Sequence, residues 1–183
     1  MKISNFKLKI PEIAAPLVVI FLAVLMRLLP HPPNFAPIAA MALFGGCYLD
    51  KKYALAIPLL AMFVSDLFLG FHSTMPFVYG SFLLIGGIGM LLKHHKRAKV
   101  IFGASLAASI GFFMITNFGV WAVTGLYPKT INGLIQSYYF ALPFFHNTIA
   151  GDLLYTGLLF GGYELVIRGV ISYENLHAHR RQG

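Results

Sequence analysis

Four polar residues interrupt the apolar stretch "FFHNTIAGDLLY", residues 144–155: His146, Asn147, Thr148 and Asp152. A carboxylate in such surroundings needs a partner, a proton or water. Thr148, Asp152 and Tyr155 fall at i, i+4 and i+7, so they share one helical stripe. Asn117, Trp121 and Thr124 repeat the spacing upstream, with Phe113 one turn before them. Ser65 and Asp66 interrupt "MFVSDLFLG", and Arg27 and Asn34 bracket a Pro-rich turn. Amides, hydroxyls, carboxylates and aromatic rings together can hold a small polar molecule by hydrogen bonds and stacking.

Each group also has a structural use. Arg27 and Asp66 can neutralise each other as a buried pair. Asn117 and Asn147 can bond neighbouring helices, and Asn147 can cap a helix start. Trp121 can anchor an interface rather than wall a site. Asp152 is the hardest to explain structurally.

Other chemistries lack their signatures. There is no G-x-x-x-x-G-K-[ST], no H-E-x-x-H, no G-x-S-x-G and no D-x-x-x-D pair, so no catalytic residue is assigned and the chain is not expected to be an enzyme. His31, His72 and His146 with a carboxylate could suit zinc, nickel or cobalt. They follow no ligand spacing, so neither a metal nor another cofactor is expected. The single Cys47 excludes an internal disulfide and reads as an inert thiol. No basic groove with interleaved aromatics appears, which argues against nucleic acid.

The elements that position these groups follow from composition. Of 183 residues, 58% are hydrophobic and 11% charged, against roughly a quarter charged in soluble domains. That is too little polar surface for a water-soluble globule. Apolar runs and their breakers predict six spans, at about 12–29, 35–49, 53–71, 75–92, 100–122 and 143–167. Lipid leaves the backbone no partner but itself, so the spans must be helices. The expectation is an all-α integral membrane protein: one domain over 1–183, a bundle of six transmembrane helices. The first apolar run lacks a small-residue cleavage site and reads as a retained span. Between spans five and six a short helix is expected at the interface, with Tyr127, Tyr138 and Tyr139.

Charge orients the bundle. With a cytoplasmic N-terminus, only Arg27 and Lys129 of the 14 Lys and Arg fall on the outer half. This positive-inside pattern puts both termini in the cytoplasm of a multi-pass protein. The "KHHKRAK" loop is then inside. Asp152, nine residues past Pro143, sits about 14 Å deep, near the middle of a ~30 Å core. Asp66, five residues before Phe71, sits about 7 Å below the outer surface. The polar groups therefore converge on the outer half, as in an outward-facing cavity. Arg27, Asp66 and Asp152 sum to about −1 if all are ionised, which mildly favours a neutral or cationic ligand.

Small residues at i, i+4 let helices approach closely: Gly157 and Gly161, Ala36 and Ala40, Ala104 and Ala108. Packing inside the bundle is their expected use. Glu164 and Arg168 form a favoured helical pair.

The stretches "PHPPNFAPIAAMALFGG", "VSDLFLGFH", "TNFGVWAVTGLYP" and "FFHNTIAGDLLY" resemble a branch of small bacterial membrane proteins related to the substrate-binding S components of energy-coupling-factor (ECF) transporters. The likeness covers nearly the whole chain. It implies a bacterial inner-membrane protein, surrounded by lipid, that binds a vitamin or related heterocycle from outside. It also implies a separate coupling subunit and two ATPase subunits as partners. Asp152, Asn147, Thr148, Tyr155, Asn117, Trp121, Asp66, Asn34 and Arg27 are the candidate substrate-binding residues. The family's Ala-x-x-x-Ala docking motif on span one is missing; Ala15 and Ala23 stand further apart. Lys2 replaces the histidine that follows the initiator Met in the cobalt and nickel types. Two readings compete: a stand-alone proton- or ion-coupled permease using Asp152, and a membrane enzyme acting on a lipid or isoprenoid.

Overall fold

The structure is a computed structural model and describes residues 21–22, 24–49 and 51–180. Most of the first predicted span, with Ala15, Ala23 and the N-terminal lysines, lies outside the described residues. Those described are helical or in loops and turns, with no strand. Residues 24–28 form the described end of α1. Then come α2 (Ile38–Tyr48), α3 (Lys51–Leu69), α4 (Met75–Leu91), α5 (Ala98–Val123) and α6 (Ile131–Arg180).

The short α2 is the hub. It packs against α3, α4, α5 and α6, and nearly all of Ile38–Cys47 is buried. At 1.5 Å per residue its 11 residues extend only about 16 Å, less than a ~30 Å bilayer core. Its tightest neighbour is α4. A Cβ on Gly46 would lie 2.3 Å from the Gly86 carbonyl oxygen, and one on Gly89 2.3 Å from that of Leu43. Both obstacles are backbone and cannot move aside. Glycine here is a requirement of contact.

Loops at one end set the approach to α2 and α4. Asn34 takes a left-handed conformation (φ 63°), which an Asn tolerates better than most residues. Gly70 (φ 95°) closes α3, its N–H donating to the Asp66 carbonyl at 2.8 Å.

Two stretches, Met75–His94 and Ala98–Val123, are long and apolar enough to cross a membrane. The core helix of a soluble protein can pass that test, but it would be mostly buried. In these stretches the most apolar windows are only 33% and 22% buried. Leu83, Leu84, Phe102, Leu106, Ile110 and Phe118 all point outward. An apolar exterior over a core holding Ser81, Ser105, Ser109 and Asp152 suits lipid rather than water.

Two sequence expectations are corrected. Pro143 does not start a helix, because α6 runs unbroken from Ile131 to Arg180 with Pro143 inside it. Both sides of the proline are fastened to α5. Tyr138 and Phe145 each pack against Phe113 in tilted arrangements, with centroids 5.7 and 4.4 Å away. Tyr138 also donates to the Met114 carbonyl at 2.9 Å. The separate interfacial helix is therefore the first turns of α6. The second correction concerns Gly157 and Gly161, which do not pack inside the bundle. A Cβ on Gly161 would meet nothing within 4 Å, and one on Gly157 only the tip of Phe102 at 3.8 Å. Ala40 and Ala108 are buried as expected.

Candidate functional site

A cavity of about 410 Å³ opens where the α1–α2 and α3–α4 loops meet. This is the opposite end of α4 from the basic loop at 93–99. Pockets for small ligands run from roughly 300 to 1,000 Å³. The wall takes Arg27 from α1, His31 and Asn34 from the first loop, and Ile38 and Ala39 from α2. It takes Met62 from α3, His72 from the second loop, Val78 and Phe82 from α4, Phe112 from α5, and Thr148 and Asp152 from α6. A smaller pocket of about 190 Å³ shares Asn34, Val78, Phe112 and Thr148 with it and adds Phe113, Thr116 and Asn117.

The carboxylates stand in different situations. Asp66 is 1% exposed and already engaged. Its Oδ1 accepts from Arg27 at 2.7 Å and its Oδ2 from the Tyr79 hydroxyl at 2.7 Å. The same Arg27 nitrogen donates to the Ser65 hydroxyl and to the Met62 carbonyl at 3.2 Å. Buried ionic groups persist when they are paired and hydrogen-bonded in this way. Asp152 has a neutral partner instead, the Ser109 hydroxyl, which donates to its Oδ2 at 2.7 Å. One turn further along α6, Thr156 and Ser105 bond hydroxyl to hydroxyl at 3.1 Å. Thus α5 and α6 share a polar seam that ends, at the cavity, in Asp152.

The candidate residues divide accordingly. Arg27, Asn34, Thr148 and Asp152 lie on the cavity wall, and Asn117 on the adjoining pocket. Asn117 also donates to the Phe113 carbonyl at 2.8 Å, a bond within its own helix. Asp66 stands behind the wall and acts through Arg27. Tyr155 packs edge-on against Phe35 at 5.6 Å, and Asn147 is half-buried in the interior of α6; neither lines either pocket. Being interior to α6, Asn147 caps no helix.

Trp121 sits in the last turn of α5 and is tied to the loop before α6. Its Nε1 donates to the Pro128 carbonyl at 3.0 Å, and Lys129 lies over its ring and bonds its carbonyl. That is an anchoring role, and the aromatic wall is made by Phe82 and Phe112, 5.3 Å apart.

Sequence reasoning missed Ser109, Tyr79 and the Phe82–Phe112 wall. Ser105 and Ser109 did carry a signal, because their i, i+4 spacing matches that of Asp152 and Thr156. His31 and His72 reach the cavity rim, whereas His146 is exposed elsewhere. The His31 ring nitrogens face the Pro32 and Arg27 carbonyls at 2.9 and 3.2 Å, and His72 bonds Thr74 at 2.7 Å. Among the described residues no three His, Cys, Asp or Glu converge to hold a metal.

The fold and site define an all-helical protein with an apolar exterior and a polar-lined cavity at one end. Residues 7–175 match the model of DUF6580, a family of unknown function, and the chain belongs to that family. No curated protein and no solved structure matches it.

Proposed function

We propose that this protein binds a small organic micronutrient, a vitamin or related heterocycle, from outside a bacterial cell and serves its uptake as an S-component-like subunit. In this reading six helices span the inner membrane with both termini cytoplasmic. Separate ATPase subunits and a coupling subunit supply the energy, and the chain performs no catalysis of its own. The observation that carries the reading is the 410 Å³ cavity with Asp152 on its wall. It opens at the end away from the basic loop at 93–99, and basic loops mark the cytoplasmic side. The apolar exterior of α4 and α5 and the absence of a P-loop fit a membrane subunit that relies on others for ATP hydrolysis.

Mass spectrometry of small molecules retained through mild purification is the direct test. One heterocycle should be enriched, and Phe112→Ala or Asp152→Asn should lose it. Equal retention by parent and variants means that the binding site lies elsewhere. The permease reading keeps one observation in its favour, the polar seam continuing from Asp152 to Thr156. Uptake abolished by an uncoupler but indifferent to ATP depletion would decide for it. Turnover of a lipid by the purified chain alone would decide for an enzyme.

A further inference from the structure

We infer that the cavity selects a positively charged planar base, an amidine or protonated nitrogen heterocycle of one or two rings, held by Asp152 against the Phe82–Phe112 wall. This rests on the reading of the cavity as a ligand site and names the charge of its ligand.

Charge on the wall is the first argument. Arg27 is matched by Asp66 at 2.7 Å, so that pair leaves little net charge facing the cavity. Among the described residues the only other ion pair is Glu164 with Arg168, near the far end of the bundle. Asp152 is therefore 3% exposed with no cationic partner there. A neutral hydroxyl is its hydrogen-bond donor. In a poorly solvated cavity an unmatched carboxylate attracts a cation far more strongly than it would in water. An amidinium or aminopyridinium edge presents the parallel N–H donors that a carboxylate accepts best.

The wall supplies the second argument. Phe82 and Phe112 stand 5.3 Å apart at 36° and both border the cavity. Ring faces attract cations as well as stack on planar ligands. A flat cation is the one ligand type that uses both features. An anion would meet Asp152 unscreened, and Arg27, the one arginine on the wall, is already committed to Asp66. The 410 Å³ volume lies near the lower end for ligand pockets, which sets the size at one or two rings.

Benzamidinium, benzamide and benzoate test this, being nearly the same shape with charges +1, 0 and −1. The full-length protein is reconstituted in lipid nanodiscs, and each compound is titrated calorimetrically at neutral pH and fixed salt. Benzamidinium should bind about tenfold or more tighter than benzamide, with benzoate weakest. Asp152→Asn should bring the first two within about twofold, and Phe112→Ala should weaken both. Equal or tighter binding of benzamide or benzoate by the wild-type protein overturns charge selection. So does an unchanged preference in Asp152→Asn. If Phe112→Ala still weakens binding in those cases, the cavity reading survives and only the charge assignment falls. No binding of any of the three at millimolar concentration overturns both. The wild-type order decides alone should Asp152→Asn not fold.

Discussion

The Arg27–Asp66–Tyr79 group predicts a specific pattern of stabilities. Removing Asp66 as Asp66→Leu leaves the Arg27 guanidinium with only Ser65 and Met62 as partners. Breaking a buried pair on one side costs about 3–5 kcal/mol. The Arg27 side chain is 17% exposed and borders the cavity, so water can reach it and the lower figure, about 3 kcal/mol, applies. Loss of the acceptor for the Tyr79 hydroxyl adds about 1 kcal/mol. Arg27→Met should cost more, about 4–5 kcal/mol, because it strands a carboxylate that is 1% exposed. The double variant removes both charges and should lie within about 1–2 kcal/mol of the wild type. Two separately severe changes then become mild together, a coupling of several kcal/mol.

The assay is reversible unfolding by SDS in mixed micelles, followed by circular dichroism and by the emission of Trp121, the chain's one tryptophan. If Asp66→Leu alone costs less than about 1 kcal/mol, or the double variant costs the sum of the singles, the pair is not the buried neutralising unit described here.

Three further outcomes follow from the packing. Gly89→Ala should cost about 1–3 kcal/mol or more by the same unfolding assay, since its Cβ would meet the Leu43 backbone, while Gly161→Ala, with nothing within 4 Å, should change stability by less than about 0.5 kcal/mol. Trp121→Phe loses one exposed hydrogen bond to Pro128, so it should cost about 1 kcal/mol or less and leave benzamidinium affinity unchanged. Cys47 is fully buried, so a membrane-permeant maleimide should label it, followed by intact mass, only at the rate at which the bundle opens; immediate labelling of the native protein would contradict the central position of α2.

Helix positions were legible because the constraint on them is local. An apolar run in lipid must close its own hydrogen bonds, so runs and breakers alone place α2 to α5 within a few residues of their structural ends. Pro143 misled for the same reason, since a local rule treats proline as a helix boundary. Whether the chain bends there depends on what lies alongside. Here α5 holds Tyr138 on one side of the proline and Phe145 on the other. Gly157–Gly161 misled in the reverse sense. Small residues permit close approach without requiring it, and the close approach occurs at Gly46 and Gly89 instead.

The two buried aspartates show where sequence reasoning has to stop. "VSDLFLG" and "AGDLLYTG" are nearly equivalent surroundings, and periodicity tells only which helical face each carboxylate occupies. What separates them is the residue across the gap. Asp66 meets Arg27, 39 positions away, and Asp152 meets Ser109, 43 positions away. A cation opposite one carboxylate commits it to the fold, while a hydroxyl opposite the other satisfies an oxygen without cancelling the charge. The candidate site rests on that difference. Exchanging the partners should therefore move the site's character: Ser109→Lys would give Asp152 an internal counter-ion and should abolish the preference for benzamidinium over benzamide, even if the cavity still admits both. A retained preference in that variant would mean that the aromatic wall, and not the carboxylate, does the selecting.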